Sequence, residues 1–471
     1  MHNHYTITEI FVQATETYKV LGGLSINERK NCLMCLQKIL LDNQQSVIEA
    51  INSDFGYRSA HETMMAEIIT SMAMIDHAIN NLKQWSKPRA CPIPLMYQPA
   101  SAKIYPQEKG VVGIICPWNY PVQLVISPLV CAISAGNRVI LKLSEKAPAT
   151  ANLLFKLLND DRLQNVIWLV SGNSDVAAQF SRLDFDHLFF TGSIENGKKV
   201  MLAAADNLTP VTLELGGKSP AIIAKESVSK QSVERILNGK LFNAGQTCVA
   251  PDIVWVAETE LEKFIDCYQT VLAKFYQNSE DNKAVTSIID QQNIDRLTTM
   301  VYQAETANCR IVKPEFDWSP GHPRCFQPLL IINPDDTLNV VKQEVFGPIL
   351  VLKTYSDYEQ IVTYHKNKPV PLTVYLFSND KKLINKFVTE IRCGSFAVNE
   401  TLIQAAIPTI PLGGLGASGL GQYHGKSGFD TFSHLKPVFV RKQPNFSRYF
   451  QPPYKKVADS IIRFLVRKFS S

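Results

Sequence analysis

The stretch FNAGQTCVAPD (242–252) sets Cys248 behind a helix and a glycine, among small polar residues. Small neighbours let backbone approach a ligand, which suits an accessible thiolate acting as a nucleophile. LELGGKSP (213–220) puts Glu214 beside two glycines, where a carboxylate can be the base that activates water against a thioester. CPWNYP (116–121) carries Asn119, whose side-chain amide can donate to a developing oxyanion. Nucleophile, base and oxyanion donor are the parts needed for acyl chemistry through a covalent intermediate. Taken singly, each also has a structural explanation: a packed thiol, a capping carboxylate, an asparagine turn beside prolines.

Other segments suit phosphate and ribose. FFTGSIENG (189–197), with Gly192, Ser193 and Gly197, follows an apolar run and opens a helix, so its amides can face a pyrophosphate. Its glycine spacing is not the G-x-G-x-x-G fingerprint. LKLSE (141–145) ends another apolar run with Lys142 and Glu145, a pair suited to ribose hydroxyls. QEVFGP (343–348) places Glu344 and Phe346 in a loop, readable as a surface turn or as one more ribose contact. The histidines show no ligand spacing with cysteines or carboxylates, so no metal site is expected. The sequence holds no Gly-x-Ser-x-Gly elbow and no Walker loop.

The elements that must position these residues follow from periodicity. Residues 1–87 read as helices, one over 27–41 behind a capping box, Ser25-x-x-Glu28, and the longest over 62–85. Met65, Ile68, Met72, Ile75, Ile79 and Leu82 form its apolar stripe. Prolines 88, 92, 94 and 99 mark an extended crossing segment. From Gly110 short apolar runs alternate with helices: strands at 111–116, 138–143, 166–170 and 187–190, helices near 122–135, 149–159, 174–181 and 196–206. That alternation is the signature of a parallel, doubly wound sheet, which binds ligands at the carboxyl ends of its strands. A second alternating segment starts near Pro220, with strands at PAIIA and DIVWVA and helices near 229–243 and 259–277.

Of the 471 residues, 48 are Lys or Arg, 43 are Asp or Glu and 45 % are hydrophobic, which excludes a disordered or collagen-like chain. The net charge of +5 is uneven: residues 441–471 carry +7 and the rest −2, so the body offers no electrostatic case for nucleic acid. The ten cysteines are widely spread, which points to a reducing compartment, and Cys32-x-x-Cys35 reads as packed thiols. The N-terminus lacks a secretory pattern, and no run approaches a membrane span. In the tail, Val457, Ile461, Phe464 and Leu465 form one helical stripe ringed by Lys456, Arg463, Arg467 and Lys468. Such a helix can pack on the body or lie on an anionic membrane surface.

In order and combination, PWNYP, FTGS…G, LELGGKSP, GQTC and EVFGP resemble the aldehyde dehydrogenase superfamily through nearly the whole chain. FNAGQTCVAPD and GLGQYHGKSGFDTFSH (419–434) are similar to its class 3 branch, and DNQQSVIEAINSDFGYRSAHET (42–63) to the bacterial coniferyl aldehyde dehydrogenase group. The resemblance implies an α/β fold: a Rossmann-type NAD(P)-binding domain over 1–87 and 107–216, an α/β catalytic domain over 217–394, oligomerisation or bridging segments at 88–106 and 395–426, and a basic tail over 441–471. It implies oxidation of an aldehyde, aromatic such as coniferyl aldehyde or medium- to long-chain aliphatic, to the carboxylate through a cysteine thiohemiacetal and thioester. Cys248 matches the nucleophile, Glu214 the general base and Asn119 the oxyanion donor; Lys142, Glu145, Gly192, Ser193, Gly197, Glu344 and Phe346 match positions for NAD or NADP. It also implies a cytoplasmic homodimer. Leu143 replaces a usual proline, Gln343 a usual glutamate and Leu412 a usual phenylalanine; Cys116 stands where serine is common and could pair with Cys248. Two alternatives remain, a CoA-acylating dehydrogenase and a catalytically silent scaffold. Glu214 argues against the first, and the joint presence of Cys248, Glu214 and Asn119 against the second.

Overall fold

The computed structural model describes residues 6–94, 97–277, 284–318, 321–444, 450–454 and 456–469. Residues 1–5 of the expected cofactor-binding domain, and Arg448 and Lys455 of the basic tail, lie outside the described residues. The strands run in chain order as β1 (Arg89–Cys91), β2 (Ala100–Glu108), β3 (Val111–Ile115), β4 (Arg138–Lys142), β5 (Ile167–Val170), β6 (His187–Gly192), β7 (Val211–Leu215) and β8 (Pro220–Ile223). They continue as β9 (Ile253–Ala257), β10 (Arg310–Val312), β11 (Leu329–Ile332), β12 (Ile349–Tyr355), β13 (Thr373–Phe377), β14 (Ser395–Val398), β15 (Gly419–Leu420) and β16 (Ser433–Arg441).

Three sheets result. The first has the order β15-β7-β6-β3-β4-β5, parallel except for β15. Its strands are short, apolar and buried on both faces, as a sheet covered by helices on each side requires. The helix Gln123–Ala135 is buried along its whole length and apolar on every side, so it fills one face. β3 lies between β4 and β6, and the chain leaves it in opposite directions, which makes the carboxyl end of β3 the switch point where such sheets bind ligands. β7, which the alternation did not reveal, follows β6 and carries Glu214.

The second sheet has the order β10-β11-β12-β9-β8-β13-β14, parallel except for β10. Only Gly216–Ser219 separate β7 of the first sheet from β8 of the second. The third sheet, β1-β2-β16, is built largely by the long antiparallel pairing of β2 with β16. Of the expected bridging segments, 88–106 contributes to this third sheet, whereas 395–398 is the edge strand of the second.

The capping box at Ser25 forms as read: Glu28 accepts from the Ser25 N–H at 2.8 Å and donates its own N–H to Ser25. Cys32 and Cys35 are packed, and burial pushes both thiols up to about 11. The long helix departs from expectation. A π-turn at Met64–Ile69 joins Ala60–Thr63 to Thr70–Trp85. The extra residue of a π-turn shifts the phase, so Ile68, Ile75 and Leu82 are buried while Met65 is 59 % exposed.

Candidate active site

The nucleophile loop begins where the helix Lys230–Leu241 ends. Asn243, Ala244 and Gly245 follow in the left-handed region, at φ of 53°, 52° and 74°. Gly245 is required there, because a Cβ would run into the carbonyl of Gly347. Gln246, fully buried, then locks the turn. Its Nε2 donates to the carbonyls of Asn243 and Ser287, each at 3.0 Å, and its Oε1 accepts from the Ile289 N–H. Beyond the cysteine, the Tyr375 hydroxyl donates to the carbonyl of Val249 at 2.6 Å. Lys218 Nζ donates to Asp252 Oδ1 at 2.8 Å and to the carbonyls of Val340 and Gln343, tying the loop exit to the segment that carries Glu344. Cys248 is therefore held from both sides, in a residue that is half-buried overall.

Asn119 lies in the loop leaving β3. Its Nδ2 donates to the carbonyl of Gln246 at 3.1 Å, which puts the amide beside the nucleophile loop and leaves its second N–H for another acceptor. Its neighbour Tyr120 reaches Thr247 at 2.5 Å between hydroxyls. Glu214, near the end of β7, pairs through its backbone with Gly419 of β15. Its carboxyl is buried, and Oε1 has no hydrogen-bond partner. Burial alone drives it well above the usual carboxylate range. Burial, then the nearby negative Glu344 and Glu214, push the Cys248 thiol up to about 12. The structure thus brings Cys248, Glu214 and Asn119 to one place, where the carboxyl end of the first sheet meets the amino end of β9 in the second.

The residues expected around a cofactor line the same sheet end. Lys142 is buried at the end of β4, and its Nζ lies 2.6 Å from the more exposed Glu145. Gly192 closes β6, and Ser193 caps the helix Ile194–Ala205 by accepting from the Asn196 N–H. Gly197, in the first turn, has no room for a Cβ against Leu215. Glu344 faces inward: a Cβ on Gly216 would strike its carboxyl, and it accepts from the Gly217 N–H. Burial, reinforced by Asp252, pushes it up to about 8. Phe346 adopts φ 45° and meets Trp118 edge-on at 5.5 Å. This donor set fits a dinucleotide: a buried cation and a carboxylate for ribose, and helix amides for pyrophosphate.

Cys116 is buried and, like Cys248, a free thiol. Leu412 is buried in a β-bridge with Tyr423, whose hydroxyl is raised by burial and then by the Glu214 and Cys248 charges, so both residues border the site. Sequence reasoning passed over Lys218, Asp252, Tyr375 and Tyr423. Lys218, Asp252 and Tyr423 stand inside quoted motifs and could have been found there; Tyr375 carries no local signal, because its partner Val249 lies far along the chain.

A sequence model described as the aldehyde dehydrogenase family matches residues 2–438. The chain is 43 % identical over 453 residues to a probable coniferyl aldehyde dehydrogenase of Pseudomonas aeruginosa, covering 96 % of this chain and 94 % of that protein. It is 37 % identical to the coniferyl aldehyde dehydrogenase of a Pseudomonas species, covering 91 % and 89 %. The solved structure described as the substrate-bound state of Staphylococcus aureus AldH superposes with a TM-score of 0.91 at 35 % identity, over 98 % of this chain and all of that one.

Proposed function

Since the chain belongs to the aldehyde dehydrogenase family, NAD(P)-dependent enzymes that oxidise aldehydes, we propose that Cys248, Asn119 and Glu214 carry the reaction here. The observation that supports this most is the 3.1 Å anchor of the Asn119 amide on Gln246, two residues before the thiol, with a buried glutamate near enough for its charge to act on that thiol. The Cys248 thiol gives up its proton to water, Sγ bonds to the aldehyde carbon as the C=O π pair moves to oxygen, and the free N–H of the Asn119 amide with the Cys248 backbone N–H stabilises the oxygen that becomes negative. Loss of hydride from that carbon leaves a thioester on Sγ. Glu214, in a setting that strengthens its hold on a proton, takes one from water; the hydroxide displaces sulfur, and the carboxylate leaves. Lys142, Glu145, Gly192, Ser193, Gly197, Glu344 and Phe346 would hold the dinucleotide, which supplies the hydride acceptor.

For substrate we propose coniferyl aldehyde or a related aromatic aldehyde, supported by the two Pseudomonas relatives, with medium- and long-chain aliphatic aldehydes as the alternative. NADH or NADPH absorbance over a panel of both classes, with each nicotinamide cofactor and with or without CoA, tests this. Turnover without CoA is expected; a requirement for CoA removes the hydrolytic reading.

We also propose a homodimer. β14 is the edge of the second sheet, and its free backbone groups suit pairing between copies. A single-chain mass by light scattering removes this. All ten cysteines are free thiols, which supports a reducing, cytoplasmic setting. No helix among the described residues is long and apolar enough to cross a membrane. The tail helix Lys456–Phe469 divides its expected stripe. Ile461 and Leu465 are half-buried beside buried Ala458, whereas Val457 and Phe464 are exposed together with Ile462 and Val466. Those exposed apolar residues flank the half-buried stripe on both sides and Arg463 and Arg467 face away from it, an arrangement that supports peripheral contact with an anionic membrane. Co-sedimentation with anionic but not neutral vesicles, lost on deleting 455–471, is expected; equal partitioning of full-length and truncated chains makes the tail a packing element.

A further inference from the structure

The segment YRSAHETMMAE (57–67) places three charged side chains in the interior, and none belongs to the site as described so far. Arg58 and Glu67 are completely buried and form an ion pair at 2.7 Å. Glu67 Oε2 accepts from the backbone N–H groups of Val122 and Gln123, at 3.0 and 2.7 Å, at the start of the helix Gln123–Ala135. Arg58 Nη1 donates also to the carbonyl of Asn119 at 3.3 Å, and its guanidinium lies 4.8 Å from the centre of the Tyr120 ring. Glu62 reaches the other loop: it accepts from the Asn243 N–H at 3.1 Å and from the Thr286 hydroxyl at 2.6 Å. Asn243 Nδ2 in turn donates to the carbonyl of Asn119 at 3.0 Å.

The backbone explains why one segment can do this. Glu62 and Glu67 are five residues apart, a spacing that an α-helix would splay. The π-turn at Met64–Ile69 supplies the extra residue that lets both carboxylates point inward. π-turns are costly and concentrate where they re-aim functional side chains.

We propose that Arg58 and Glu67 are positioning residues for the oxyanion donor, a role that rests on the reading of Asn119 given above. The Asn119 carbonyl is held by Arg58 and Asn243, its side chain by Gln246, and the residues after Tyr120 by Glu67. Arg58 touches neither Cys248 nor the amide that would meet the aldehyde. It sets where that amide stands, and through Tyr120 and Thr247 it couples this loop to the nucleophile's. Misplacement of a catalytic group by about 1 Å can cost about 10²-fold in rate, so a rigid frame this close has kinetic weight.

The test is a double-mutant cycle on the single-turnover rate of NAD(P)H formation, using the fastest aldehyde of the panel above. Asn119→Ala, Arg58→Met and the double variant are compared, with Glu67→Gln as the milder substitution should Arg58→Met fail to fold. Asn119→Ala alone is expected to slow the step by about 10²–10³-fold. Arg58→Met or Glu67→Gln is expected to slow it by about 10–10²-fold in the wild-type background and by less than about threefold once Asn119 is alanine, with KM for the nicotinamide cofactor unchanged. Equal losses in both backgrounds, or no loss in the wild type, overturn the positioning role while leaving the Asn119 reading intact. An unaffected rate in Asn119→Ala overturns that reading, and the proposal falls with it.

Discussion

Glu67 and Glu214 are both buried glutamates whose proton affinity burial raises, and the protein partners them differently. Glu67 sits against Arg58 and accepts two backbone N–H groups, so the cost of burying a carboxylate is offset by three directed partners. Glu214 has burial as the sole cause of its raised affinity for protons, and Oε1 faces no donor. An orphaned buried oxygen is rare in a folded protein and calls for an explanation. A satisfied carboxylate fixes geometry; an unsatisfied one keeps its lone pairs for water or substrate. The difference separates these two carboxylates; it does not divide the whole frame from the reacting groups, because Arg58 Nε and Nη2 and Asn243 Oδ1 are buried without hydrogen-bond partners too.

The largest effect should come from the reacting side. Cys248→Ala is expected to abolish dehydrogenase turnover while cofactor binding, followed by quenching of protein fluorescence, persists. Near-normal turnover in that variant would end the assignment of the nucleophile. Glu214→Gln keeps the shape but cannot take a proton, so turnover should drop by about 10²–10⁴-fold and an acyl adduct should accumulate on Cys248 by mass spectrometry. Its stability should move in the opposite sense to its activity. A carboxyl whose proton affinity is raised by folding penalises the folded state increasingly as pH climbs above its unfolded value. The glutamine variant should therefore match the wild type near pH 4 and be the more stable of the two at pH 8 in urea unfolding. A variant less stable at pH 8 would mean that the carboxyl has a partner.

Glu67→Gln tests the other half of the contrast. Breaking a buried pair leaves Arg58 uncompensated, so the loss should be about 3–5 kcal/mol in the same unfolding experiment. A loss below about 1 kcal/mol would show that the frame is not electrostatic and would put Glu67 in the same class as Glu214.

The same contrast describes what the sequence disclosed. Cys248, Glu214, Asn119 and the residues of the sheet ends stood in short motifs, because each depends on its neighbours: a glycine that permits the turn, a strand that ends just before it. The alternating runs disclosed most of the first sheet, missing β7, three of whose five residues stand in the LELGG motif, and the two-residue β15. The frame was illegible. Arg58 and Glu67 are joined to Val122, Gln123 and Asn119 across more than fifty residues, and a charge in a helical run reads as a solvated face. The π-turn was illegible for a related reason: the apolar stripe was read at one period throughout, and a single inserted residue changes the phase without changing composition. Glu344 was expected at a ribose, and its inward turn toward Gly216 and Cys248 depends on the Lys218–Asp252 brace, whose partners come from two separate motifs.

That inward turn gives the smallest and most specific prediction. Cys248 is held as a thiol by burial and then by the charges of Glu344 and Glu214, in that order. Each carboxyl raises the thiol only while ionised, and Glu344 ionises at about pH 8. Iodoacetamide labelling of the Cys248 peptide, followed by mass spectrometry in cofactor-free enzyme, should rise about tenfold per pH unit from pH 6 upward and show no plateau below pH 9, since the thiolate fraction is small throughout that range. Removing the negative charge favours the thiolate, so Glu344→Gln should speed labelling at pH 9 by a few fold and leave it unchanged at pH 6, where the native carboxyl already carries its proton. Glu214→Gln should do less at pH 9, because its charge is the weaker of the two influences on the thiol. Equal acceleration at pH 6 and pH 9 would mean that Glu344 is ionised throughout, and that its carboxyl is held by the lysines around it rather than by burial.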